Sequence, residues 1–160
     1  MGKAGLTFIF FFLLPPIPSL AGEDSKVWNL RDISAFQLIV ERPTEDAREV
    51  GITEEAVRNQ VAALFKASLS HVPLDRKEGP SLYVRIILYK RQKEDLYYGV
   101  ISVNVDRAVM VLSPKENFPT FSQVWENTVV FSGRDPLPAT YRILAGLINL
   151  LVGDFRKANP

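Results

Sequence analysis

Between Ser81 and Ser132 apolar and polar residues alternate with a period of two through most of the segment. Successive side chains of a strand point to opposite faces, so this pattern commits the middle of the chain to β-sheet. Over Ser81–Lys90, Leu82, Val84, Ile86 and Leu88 make one face, and Tyr83, Arg85, Ile87 and Tyr89 make the other. Arg91–Asp95 is a charged hairpin loop. A long extended segment follows over Leu96–Leu112, with Tyr97, Gly99, Ile101, Val103 and Val105 on one face and Tyr98 and Val100 on the other. Its alternation slips at Asp106-Arg107, which predicts a bulge. Ser113–Pro119 reads as a connection. Phe121–Ser132 reads as a last strand, with Trp125, Asn127, Val129 and Phe131 on one side.

The flanks carry a different period. Ile33–Arg42 still alternates, with Phe36, Leu38 and Val40 on one side, and Pro43 ends it. Thr44–Val50 is a charged loop or a single helical turn. Thr53 then opens a helix as N-cap, with Glu54 and Glu55 in the first turn, where the helix dipole favours acids. Ile52 and Val57 stand at the hydrophobic-staple spacing. Val57, Val61, Leu64, Phe65 and Leu69 recur at three and four residues, which gives one buried face. His71 and Pro73 mark its end. After the turn at Gly133–Pro136, Pro138 suits a first helical position. Tyr141, Leu144, Leu147, Ile148, Leu151 and Phe155 mark a second helix, apolar nearly all round from Ile143 to Val152. That predicts a helix deeply packed between the sheet and the first helix. Gly146 in its middle costs about 1 kcal/mol relative to Ala, so a close backbone approach is expected there.

The resulting order, β-α-β-β-β-α, predicts an α+β domain of two layers, a four-stranded mixed sheet with two helices on one face. A single domain is expected over Gly22–Pro160. The residues before it read as an export signal. Lys3 supplies a basic start, Leu6–Leu14 a short apolar run, and Ser19-Leu20-Ala21 a small-x-small cleavage site beyond three prolines. Cleavage is expected after Ala21, with Gly22 as the second position, which makes 1–21 a signal peptide. The apolar run is shorter than the roughly 20 residues of a spanning helix. An uncleaved N-terminal anchor is the alternative, and the one route to a membrane. The chain has no Cys, so neither disulfides nor lipidation at a cysteine is available. For an exported domain this favours a bacterial periplasmic protein over a eukaryotic secreted one.

Composition removes several kinds of chemistry. Cysteine nucleophiles and thiolate metal sites are excluded, and with a single histidine, His71, so is a multi-His metal site. No phosphate-binding glycine loop, dinucleotide fingerprint or nucleophile elbow occurs. Glu54, Glu55, Glu94, Asp95 and Asp154 read as solvated charges rather than acid–base pairs. Basic and acidic residues interleave and nearly balance, so there is no stripe for nucleic acid. No catalytic, metal or cofactor residues are expected.

Several short motifs resemble an uncharacterised family of exported bacterial proteins: Val40-Glu41, Gly51-Ile52-Thr53-Glu54, Leu82-Tyr83-Val84, Trp125, Asp154-Phe155 and Ala158-Asn159-Pro160. The strand-helix-strand order is also similar, in architecture only, to small periplasmic accessory domains such as the N-terminal domain of TolB. Neither resemblance implies catalytic residues. The sheet face away from the helices would collect Tyr83, Arg85, Tyr89 and Tyr98, the aromatic and Arg side chains that interface centres favour. The expectation is a non-enzymatic, exported binding or accessory domain that uses this face, with an envelope protein or a second copy as partner. The alternative is a small hydrolase with a carboxylate or serine site.

Overall fold

The computed structural model describes residues 27–77 and 79–160. The expected signal peptide, 1–21, and its cleavage site lie outside the described residues. The elements are β1 (Gln37–Val40), α1 (Glu45–Glu49), α2 (Glu54–Ser68), β2 (Ser81–Arg91), β3 (Leu96–Val111), β4 (Phe118–Gly133) and α3 (Pro136–Ala158). The sheet runs β1-β2-β3-β4 in space, with β1 parallel to β2 and the other pairs antiparallel. This is the expected α+β domain with a four-stranded mixed sheet. Thr44–Val50 resolves as the five-residue helix α1. β1 is shorter than the alternation suggested, because only Gln37–Val40 pairs with β2.

The period-two pattern sorts the sheet as its physics requires. Leu82, Val84, Ile86, Leu88, Ile101, Val103, Val105 and Trp125 are all buried on the helix side. From α2 the core receives Val57, Val61 and Phe65, and from α3 Leu144, Leu147, Ile148, Leu151, Val152 and Phe155. Phe36 stands at the meeting point, with ring centroids 5.7 Å from Phe65 and 5.9 Å from Phe155. Thr53 caps α2 by accepting the Ala56 N–H at 3.1 Å. Burying a side chain of Leu or Phe size is worth about 1.5–3 kcal/mol, so this one-sided core is what holds the layers together.

Polar ties then fix how the elements sit. Trp125, 1% exposed, donates its indole N–H to Asp154 at 3.1 Å and so pins α3 to β4. The Arg156 guanidinium reaches the Ser68 carbonyl at the end of α2. Asn159 accepts the Asp32 N–H and donates to the Leu30 and Phe155 carbonyls, each at 3.0 Å.

α3 starts at Pro136 rather than Pro138, and three further features depart from the sequence reading. Gly146 is exposed, and a Cβ there would meet nothing within 4 Å. The expected close approach occurs instead at Gly99, where a Cβ would run into the Ile87 carbonyl. Next, α3 is not packed all round, since Leu150 is 54% exposed and Asn149 is exposed too. A helix lying on one sheet has an outer side, and the nearly unbroken apolar run concealed it. Finally, β4 starts at Phe118 rather than Phe121. The expected irregularity falls between Val105 and Asp106, with Val124 as the extra residue on β4. Beyond it the β3–β4 pair continues past the end of β2 as a two-stranded arm that exposes Met110, Leu112, Phe118 and Phe121.

Asn159→Ala removes three hydrogen bonds, one of them to the part-buried Leu30 carbonyl. It should lower the unfolding free energy by about 2 kcal/mol, measurable by urea denaturation with an unchanged m-value.

Candidate functional site

The open face of the sheet is ordered in rows by strand register. Ile39 of β1 stands beside Tyr83, which pairs with Asn104 and, across β3, with Glu126. Next come Arg85, Ser102 and Thr128, then Ile87, Val100 and Val130, and last Tyr89, Tyr98 and Ser132. The alternation therefore brings Tyr83, Arg85, Tyr89 and Tyr98 onto one face, as the sequence predicts. The face has two chemical halves. Ile87, Val100, Val130 and the two tyrosines form an apolar end, with Val130 76% exposed. Tyr89 and Tyr98 are each about half exposed, and their rings lie 5.7 Å apart. Such a cross-strand aromatic pair stabilises the sheet and presents a firm contact surface at once.

The other half is polar. The Tyr83 hydroxyl donates to the Glu41 carboxylate. Asn104 donates to Gln123 at 3.4 Å, and Gln123 donates to Glu126 at 2.6 Å. Thr128 also donates to Glu126. Inside this network three buried atoms have no hydrogen-bond partner among the described residues: Arg85 Nε, Ser102 Oγ and Asn104 Oδ1. Ser102 and Arg85 are direct register neighbours, and Asn104 is one row away. Buried polar atoms without partners are uncommon, and each costs about 1–3 kcal/mol. Sequence reasoning missed Ser102 and Asn104, because small polar residues on an open sheet face carry no signal beyond the alternation itself.

Two groups on this face titrate abnormally. The Tyr83 phenol is held above its usual range, first by its hydrogen bond to the Glu41 carboxylate and then by burial. Partial burial raises the Asp106 carboxyl, which lies at the bulge.

The residues considered for chemistry are dispersed. Glu54 pairs with Arg58, Glu94 with Arg91, Asp95 with Lys90, and Asp154 with Lys157. His71 is exposed, and it lines a cleft of about 410 Å³ with Asp32, Ser34, Arg76 and Arg107. Arg107 is committed there to the Asn29 and Arg31 carbonyls. No hydrogen bond joins His71 to Ser34 or to Asp32. Among the described residues no three His, Asp or Glu side chains converge as metal ligands. No protein-family model matches the chain, and no curated protein does.

The raised Asp106 carboxyl has a defined consequence for stability. The folded chain holds this proton more tightly than the unfolded chain does. Ionisation therefore subtracts stability as pH rises through the carboxylate range. Asp106→Asn should raise the melting temperature at pH 7 and have no effect near pH 3, which thermal unfolding at the two values would show.

Proposed function

We propose that the protein is an exported, non-enzymatic binding or accessory domain that captures a partner protein on the open face of its sheet. The observation that carries this reading is the exposed Tyr89–Tyr98 pair, which together with exposed Val130 makes an apolar aromatic end on an otherwise polar sheet face. Such a patch beside the polar groups of Glu126 and Thr128 fits a polypeptide segment that sets an apolar side chain on the tyrosines. Export rests on the basic start, apolar run and small-x-small site of 1–21. With no cysteine to staple or lipidate, the reading places the domain in a bacterial periplasm, with an envelope protein as partner.

The alternative, a small hydrolase, draws on the cleft that gathers Ser34, His71 and Asp32. A serine mechanism needs the histidine hydrogen-bonded to both the nucleophile and the acid. The geometry here supplies neither bond, so the binding reading is preferred.

Replacing Tyr83 and Tyr89 by Ser removes contact area while leaving the helix-side core untouched. Co-purification from the cell envelope should lose the bound partner in this variant, with an unchanged far-UV spectrum. Equal recovery of the same partner would overturn the assignment to this face.

A further inference from the structure

The two edges of the sheet are treated in opposite ways. At the β1 side much of the backbone is covered. The Leu38 carbonyl accepts from the Arg58 guanidinium of α2. Phe36 bridges to Leu74, with its N–H on the Pro73 carbonyl and its carbonyl on the Arg76 N–H. Where β2 outruns β1, side chains stand in for a strand. Thr44 bonds both the N–H and the carbonyl of Leu88, and Asp46 accepts the Lys90 N–H. Folded proteins protect sheet edges in just such ways, because an open edge is a template for another strand.

The β4 edge has no such cover. Its outer end is interrupted by Pro119 and by the bulge at Val124. That leaves Trp125–Gly133 as a regular open edge with one charged residue, Glu126. Among the described residues no hydrogen bond from outside the β3–β4 ladder reaches its backbone. The flank of α3 on the same side is also apolar. Asp154 of α3 touches β4 and Arg156 touches α2, which orients the helix. Helical spacing then places Ile143 and Leu150 on the β4 side. These are half-buried and 54% exposed respectively.

We propose that β4 pairs antiparallel with β4 of a second copy about a two-fold axis through Val130, so that the sheet and the helix layer both continue across the dimer. The charges favour this register over one centred on Glu126. With Val130 on the axis, Glu126 comes level with Arg134, the residue just beyond the end of β4, in the second copy, whereas an axis through Glu126 sets two carboxylates against each other. The apolar row Ile87-Val100-Val130 then runs unbroken into its counterpart. The helix layer agrees. Val130 lies about 17 Å along β4 from Trp125, and Ile143 lies about 17 Å along α3 from Asp154. Because Trp125 and Asp154 are hydrogen-bonded, Ile143 is level with Val130, and the two Ile143 side chains meet near the axis. Since α3 packs on both β3 and β4, its axis lies over their seam. The two α3 axes are then set about two strand spacings apart, roughly 10 Å, a normal packing distance for helices.

This interface uses the β4 edge and the flank of α3; Val130 and Glu126 also border the open face, whereas Leu150 does not, and the variants together distinguish the two surfaces. Sedimentation velocity of the chain as recovered from cells should show a dimer. Val130→Lys and Leu150→Lys, both at exposed positions, should each weaken it by roughly 100-fold with an unchanged circular dichroism spectrum. Glu126→Arg alone should also weaken it, and Glu126→Arg with Arg134→Glu should restore it. A monomer across the whole accessible concentration range overturns the proposal, as does a dimer indifferent to Val130→Lys. Failure of the double charge reversal to restore association does so too. A dimer lost in Tyr89→Ser/Tyr98→Ser but kept in Val130→Lys would place the contact on the open face and contradict the β4 pairing.

Discussion

The structure depends on one contact plane, between the helix-side face of the sheet and the apolar sides of α2 and α3. Trp125 is its anchor. A large indole buried to 1% also donates its only hydrogen bond to Asp154, so the burial that draws α3 onto the sheet also fixes where along β4 it lands. The Arg156–Ser68 and Asn159–Leu30 bonds then tie the same helix to α2 and to the segment before β1. Among the described residues the single sheet is covered on one side only, and that has consequences elsewhere. Its second face and both of its edges have to meet solvent, be capped from within, or be met by another chain.

The molecule resolves that demand unevenly. Arg58, Thr44 and Asp46 close the β1 side with side-chain groups aimed at backbone atoms. The open face closes part of itself through the Asn104–Gln123–Glu126 chain, yet leaves Arg85, Ser102 and Asn104 with unpaired buried atoms.

Much of this was legible in the sequence. Period-two alternation placed Tyr83, Arg85, Tyr89 and Tyr98 on one face, because a strand admits no other arrangement. Thr53 and the staple of Ile52 and Val57 marked the start of α2 through purely local chemistry. The slip at Asp106-Arg107 located the bulge. What stayed hidden depends on neighbours distant in the chain. Gly146 looked like a packing glycine, but its side of α3 faces outward. Phe118–Thr120 looked like a connection, because pairing with Val109–Val111 is a property of the hairpin and not of either segment. Glu41 with Tyr83, Trp125 with Asp154, and Asn159 with Leu30 are contact pairs that tie elements distant in the chain.

The open face, bare among the described residues, should be covered by a partner where the protein works. Hydroxyl-radical footprinting of Tyr89 and Tyr98, in intact cell envelopes and in the purified protein, tests this most directly. Both tyrosines are about half exposed in the domain and should be modified readily when it is purified. The account predicts strong protection of both in the envelope, while exposed Trp28 on the N-terminal segment stays reactive in both settings. Equal modification of the tyrosines in the two settings would contradict it.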